Sequence, residues 1–167
     1  MKKLIFWTKR ALVMALSLLA ITTTSFAAND GDPEMIAILR TAVDELNDEC
    51  PQELDDDLIL NKVYLSNNRM VYDFLTDDET LGGLILLKEL SSEEFEALML
   101  KGMTEGNDEI LLLMAVCVEA DYGLEFKLSN QRRTNSLSII LTQYDLMNEL
   151  ENYDLDEILT EFILEYM

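Results

Sequence analysis

LILNKVYLSNNRMVYDFL, residues 58 to 75, decides the fold. β-branched and aromatic residues crowd both sides of Asn67-Asn68, the kind of pair a tight hairpin takes because its central positions need positive φ. Met70, Tyr72 and Phe74 alternate with Arg69, Val71 and Asp73, so the second strand has one buried face. The reading is a β-hairpin of Leu58–Leu65 and Arg69–Leu75. A second hairpin follows Gly123: Leu124, Phe126 and Leu128 alternate with Glu125 and Lys127, and Leu137, Ile139 and Leu141 alternate with Ser138 and Ile140. The turn between those strands, SNQRRTN, carries Arg132-Arg133, the sole adjacent basic pair after residue 27.

Helical patterns fill the remainder. Asp32-Pro33-Glu34 supplies an N-cap acceptor, a proline for the first turn and an acid near the positive end of the dipole. Met35, Ile36, Leu39, Val43 and Leu46 then recur at helical spacing, which predicts a helix over 33–47 ended by Pro51. NDECPQELDDD, residues 47 to 57, reads as the acidic connection beyond it. A short helix is expected over 76–90, weakened by Gly82-Gly83. Ser91 and Glu94 fit a capping box for a helix bearing Phe95, Leu98 and Met99. Asn107-Asp108-Glu109 caps Ile110–Val118, apolar all round and hence a buried helix. Thr142 with Asp145 opens a helix holding Leu146, Met147 and Leu150, and a last one runs from Leu155 with Leu159, Phe162, Ile163 and Tyr166 on one side. The order α-ββ-α-α-α-ββ-α-α predicts an α+β domain, its two hairpins paired into one antiparallel sheet with helices over a face.

The first 27 residues have the layout of a secretory signal: Lys2, Lys3, Lys9 and Arg10, an apolar run from Ala11 to Ile21, then small residues at Ser25 and Ala27. Cleavage after Ala27 leaves a single domain, 28–167, in the periplasm or outside the cell. The apolar run falls far short of the roughly 20 residues a bilayer requires, so no membrane association is expected after cleavage. That mature chain has eight basic and 33 acidic residues, a net charge of −25. Such a field repels nucleic acid and favours cationic partners or divalent ions.

Histidine is absent, which excludes Ser-His and Cys-His nucleophile pairs and histidine metal ligands. Catalysis by two carboxylates facing one cleft stays open. No cofactor is expected, with calcium the one candidate ion; the places for it are Asn29–Glu34, Asp55–Asp57 and Thr76–Glu79, none of which matches an EF-hand loop. Cys50 and Cys117 are the only cysteines. In an oxidising compartment a disulfide between them is the default expectation, against which a free thiol at Cys117 is comfortable in its apolar run.

ECP followed by acids, VYLSNNRMVYDF, and AVCVEADYGLEFKL with a hairpin ending IILT together resemble small secreted bacterial proteins of uncharacterised activity. The resemblance spans most of Glu49 to Thr142. It implies an exported α+β domain with two structural cysteines and supplies no activity. The functional expectation is a non-catalytic binding or inhibitor-like module for a basic protein partner, with Asp55, Asp56, Asp57, Arg132 and Arg133 as contact residues. The alternatives are a carboxylate-based hydrolase and a calcium-responsive envelope protein.

Overall fold

The computed structural model describes residues 31–90, 92–105, 108–155 and 157–158. Its elements are α1 (Pro33–Asp48), β1 (Gln52–Asp55), β2 (Leu58–Ser66), β3 (Arg69–Thr76), α2 (Asp78–Leu90), α3 (Ser92–Thr104), α4 (Asp108–Glu119), β4 (Gly123–Asn130), β5 (Ser136–Leu141) and α5 (Gln143–Leu150). The expected signal segment, the Ser91 and Asn107 caps, and Leu159 to Tyr166 of the expected last helix lie outside the described residues. Among the described residues no helix is long and apolar enough to cross a membrane.

The five strands form one sheet in the order β1-β2-β3-β4-β5. Both expected hairpins are present, and Asn67 and Asn68 take φ of 51° and 54° in the turn of the first. The expected all-antiparallel sheet is corrected at its centre, where β3 runs parallel to β4 and the sheet is mixed. The chain itself gives the reason. Three helices separate the hairpins, long enough for a crossover that carries the chain back to the starting end of β3, and a crossover of that length is what parallel neighbours need. Gly123 therefore lies beside Arg69, and Asn130 beside Thr76. At Gly123 a Cβ would sit 2.5 Å from the Leu141 carbonyl oxygen, so glycine is required by the close approach of β5.

β1 is a further correction, because a strand occupies what reads in the sequence as an acidic connection. Gln52-Glu53-Leu54-Asp55 has little β-propensity, and it pairs because β2 offers it a free edge, through an irregular register between Glu53 and Asp55. Charges on a short edge strand also protect the sheet from pairing with other chains.

A single core fills one face of the sheet. Leu60, Val63, Met70, Tyr72, Phe74, Leu124, Leu128, Leu137, Ile139 and Leu141 meet Met35, Leu39 and Val43 of α1, Leu81 of α2, Phe95 of α3, Leu111 to Met114 and Val116 to Val118 of α4, and Leu146 and Leu150 of α5. Tyr72, Phe74 and Phe126 stack across β3 and β4 with centroids 5.5 to 6.5 Å apart. α4 is buried from Leu111 to Met114 and from Val116 to Val118, as its all-round apolar sequence requires. Asp32 caps α1 by accepting from the Glu34 amide at 2.8 Å, and Thr142 with Asp145 closes a reciprocal capping box on α5. The opposite face carries Ile59, Tyr64, Val71, Leu75 and Ile140, none of which joins the core. Among the described residues the molecule is thus a two-layer α+β domain with helices on one face of the sheet and none on the other, where Val71, Asp73 and Ser129 are nonetheless buried; that second face is called the open face below.

Candidate functional site

Two features gather the chemistry: an acidic edge, and the open face of the sheet. The edge arises from sequence continuity. Between Thr41 and Asn61 the chain carries eight acidic residues and no basic one. α1 packs on β2 and β1 pairs with β2, so Asp44, Asp48, Glu49, Glu53, Asp55, Asp56 and Asp57 line one side of the molecule, all exposed. α1 has no basic residue in its last turn; instead acids stand at the negative end of its dipole, where they are disfavoured. Half-buried Glu45 adds a carboxylate oxygen with no hydrogen-bond partner.

Asp56 and Asp57 form the β1–β2 turn, with Asp55 the last residue of β1 beside them, and Arg132 and Arg133 sit in the β4–β5 turn. Both turns lie at the same end of the sheet, since Leu58 pairs with Thr76 and Thr76 with Asn130. Three strand spacings still separate them, about 14 Å at 4.8 Å per strand. The structure therefore brings these five residues to one end without joining them. Arg132 is exposed and makes no ion pair among the described residues. Arg133 takes φ of 54° and turns back over the sheet, where its guanidinium lies 3.1 Å from the Asp73 Oδ2.

Asn130 holds that turn in shape. Its buried Oδ1 accepts from the amides of Thr134 (2.8 Å) and Asn135 (3.2 Å), while its Nδ2 donates to Thr134 Oγ1 and to Asp78 Oδ1 at the start of α2. One side chain thereby ties the β4–β5 turn to a helix start.

The open face is where cations collect. Lys62, Arg69, Lys127 and Arg133 stand on it or over it, four of the eight basic residues downstream of residue 27. Pairing sets Lys62 opposite Asp73, Asp73 opposite Lys127 and Lys127 opposite Ser138, one row across four strands. Asp73 is 1% exposed. Its Oδ2 accepts from Asn61 Nδ2 at 2.8 Å and from Arg133, and its Oδ1 is buried with no partner. Asn61 reaches it from the irregularity in β2 between Leu60 and Lys62. In the next rows Arg69 pairs with Glu125 at 2.9 Å, and Glu125 also accepts from the Ser138 hydroxyl. Lys62 rests over the Tyr64 ring at 4.4 Å, and Lys127 makes no ion pair or hydrogen bond among the described residues.

The expected Cys50–Cys117 disulfide is not formed; both cysteines are free. Cys50 Sγ donates to the Leu46 carbonyl at 3.3 Å, and Cys117 is a wholly buried thiol behaving as a small apolar side chain. Burial pushes Cys117 up to about 12. Desolvation, then Glu49, raises Cys50. Tyr72 lies between the two chemistries, its hydroxyl buried without a partner and raised first by burial and then by Cys117 and Cys50.

Of the candidate calcium stretches, Asp32 is committed to the α1 cap and Asp77 to Thr80, whose amide and hydroxyl it accepts at 2.7 and 2.8 Å and which hold it below the usual carboxylate range. Asp78 accepts from Asn130. Among the described residues no three carboxylates or thiols converge as metal ligands would.

No family model matches the chain, and no curated protein does. A solved structure does: a presumed secreted protein of Pseudomonas aeruginosa superposes with a TM-score of 0.51 at 9% identity, over 72% of this chain and 99% of that one. The likeness is one of fold. It agrees with the α+β reading.

Proposed function

We propose that the protein is an exported, non-catalytic binding module that docks a basic protein partner along its acidic edge. One observation carries this reading: eight acids without a single base, from Thr41 to Asn61, fold into a continuous border formed by α1, β1 and the β1–β2 turn. Exposed charge of one sign steers an oppositely charged partner and raises its association rate, with a steep dependence on salt. The sequence accepts a cost for that border, because acids at the C-terminal end of α1 lose a few tenths of a kcal/mol each to the helix dipole. Export rests on the layout of the first 27 residues and on a fold shared with a presumed secreted protein. The absence of histidine supports binding over nucleophilic catalysis.

The test is charge reversal with the fold preserved. A variant carrying Asp55→Lys, Asp56→Lys and Asp57→Lys alters exposed residues only, the end of β1 and its turn. Proteins retained from the native envelope at low salt and released by salt should be lost from this variant, with association slowed tenfold or more. Retention unchanged by the triple substitution would refute docking at this edge.

A further inference from the structure

The acidic edge leaves the open face of the sheet unexplained. In a chain with 33 acids, three of the eight basic residues downstream of residue 27 gather around one buried carboxylate. Solvated lysines scattered for solubility would not line up in one register row. Lys62 and Lys127 flank Asp73 from either side, and their Cα atoms are two strand spacings apart, about 10 Å. Arg133 approaches the same carboxylate from above, out of a turn that Asn130 fixes. With Asp73 counted, this group keeps two uncompensated positive charges, and the neighbouring Arg69–Glu125 pair is already neutral. Asp73 adds a contrary demand. A buried carboxylate oxygen without a donor has lost its water and gained nothing in exchange, and Oδ1 is such an oxygen. Lys127, its register neighbour, forms no ion pair with it.

A single ligand chemistry answers both demands: negative charge for the lysines and arginine, and a hydrogen to donate to Asp73 Oδ1. We propose that the open face binds a small oxyanion that carries its own hydrogen-bond donor, a class that includes hydrogen phosphate and 2-hydroxycarboxylates. Lys62 and Lys127 hold the charged oxygens, Ser138 borders the same row, and the donor of the ligand completes the shell of Asp73. The half-exposed Arg133 side chain shifts to admit it while the backbone stays in place. A ligand with charge but no proton to give meets Asp73 as one anion meets another.

Matched anions at pH 7 and constant ionic strength read this directly in the mature chain. Hydrogen phosphate and glycolate carry the donor; sulfate and acetate supply the same charged oxygens without it. Amide shifts of Lys62, Asp73, Lys127 and Arg133 should saturate with each donor-bearing anion, at an affinity about tenfold or more above its partner. Whether phosphate or glycolate binds more tightly tells which source of the class the face prefers. The double variant Lys62→Gln, Lys127→Gln should lose binding and stay folded, and Asp73→Asn, if folded, should erase the preference within each pair. Equal binding of paired anions overturns the proposal, as does saturation that survives the double lysine variant. Amide shifts that never saturate also overturn it, and then the row is a structural charge cluster.

Discussion

At the scale of single residues, burial decides behaviour more than residue type. Cys117 is the clearest case: its thiol has no solvent and its pKa is pushed up to about 12. A raised pKa stabilises the fold below the unfolded value, near 8.5 for a thiol, and that contribution is lost as pH rises toward 12. Between pH 8 and pH 10 the unfolded thiol ionises while the folded one cannot, which removes about 2 kcal/mol of stability at 1.36 kcal/mol per unit. Urea unfolding across that range should show the loss in the native chain, and Cys117→Ala should lessen it, leaving the smaller share of Cys50. The residue types at Cys117 and Asp73 were plain in the sequence, and their outcomes were not. Alternation places Asp73 outward with Arg69 and Val71, yet the residue is 1% exposed. Its carboxylate is bonded by Asn61, twelve residues away, and by Arg133, sixty residues away, and local pattern carries no signal for that. The free thiols have the same origin, since pairing depends on how α1 and α4 settle on the sheet and not on two positions in a string.

Elements were legible wherever their chemistry is local. The Asp32 cap, the Thr142–Asp145 box and the Asn67-Asn68 turn follow from side chains that bond their own neighbours, and all three formed as expected. β1 and the parallel β3–β4 seam were missed, because each is imposed by a partner distant in the chain. The β4–β5 turn shows what a locally silent residue does: Asn130 carries four hydrogen bonds across that turn and α2. Asn130→Ala should destabilise the domain by about 1–3 kcal/mol, since it strands two amides and a helix-start carboxylate of their partner. It should also release Arg133 from Asp73, seen as a shift of the Arg133 side-chain resonances toward those of free arginine. A change in stability with Arg133 unmoved would place the effect in the turn alone.

For the whole molecule, composition foretold the net charge but not its distribution. Eight acids collect on one border and four of the eight cations on the other face of the sheet, so a protein of −25 overall presents a locally positive face. That segregation comes from the fold, which places Lys62, Asp73 and Lys127 on three successive strands of the order. The parallel seam also sets a timetable. β3 is complete at Thr76, but its second neighbour begins at Gly123, 47 residues later. At ribosomal rates of about 5–20 residues per second, β3 waits roughly 2 to 9 seconds with one side unpaired. A truncated chain ending at Tyr122 prolongs that interval indefinitely and should self-associate through β3, giving light scattering that the full chain does not. During synthesis the long helical crossover is a delay line, and the sheet closes only when its last third arrives.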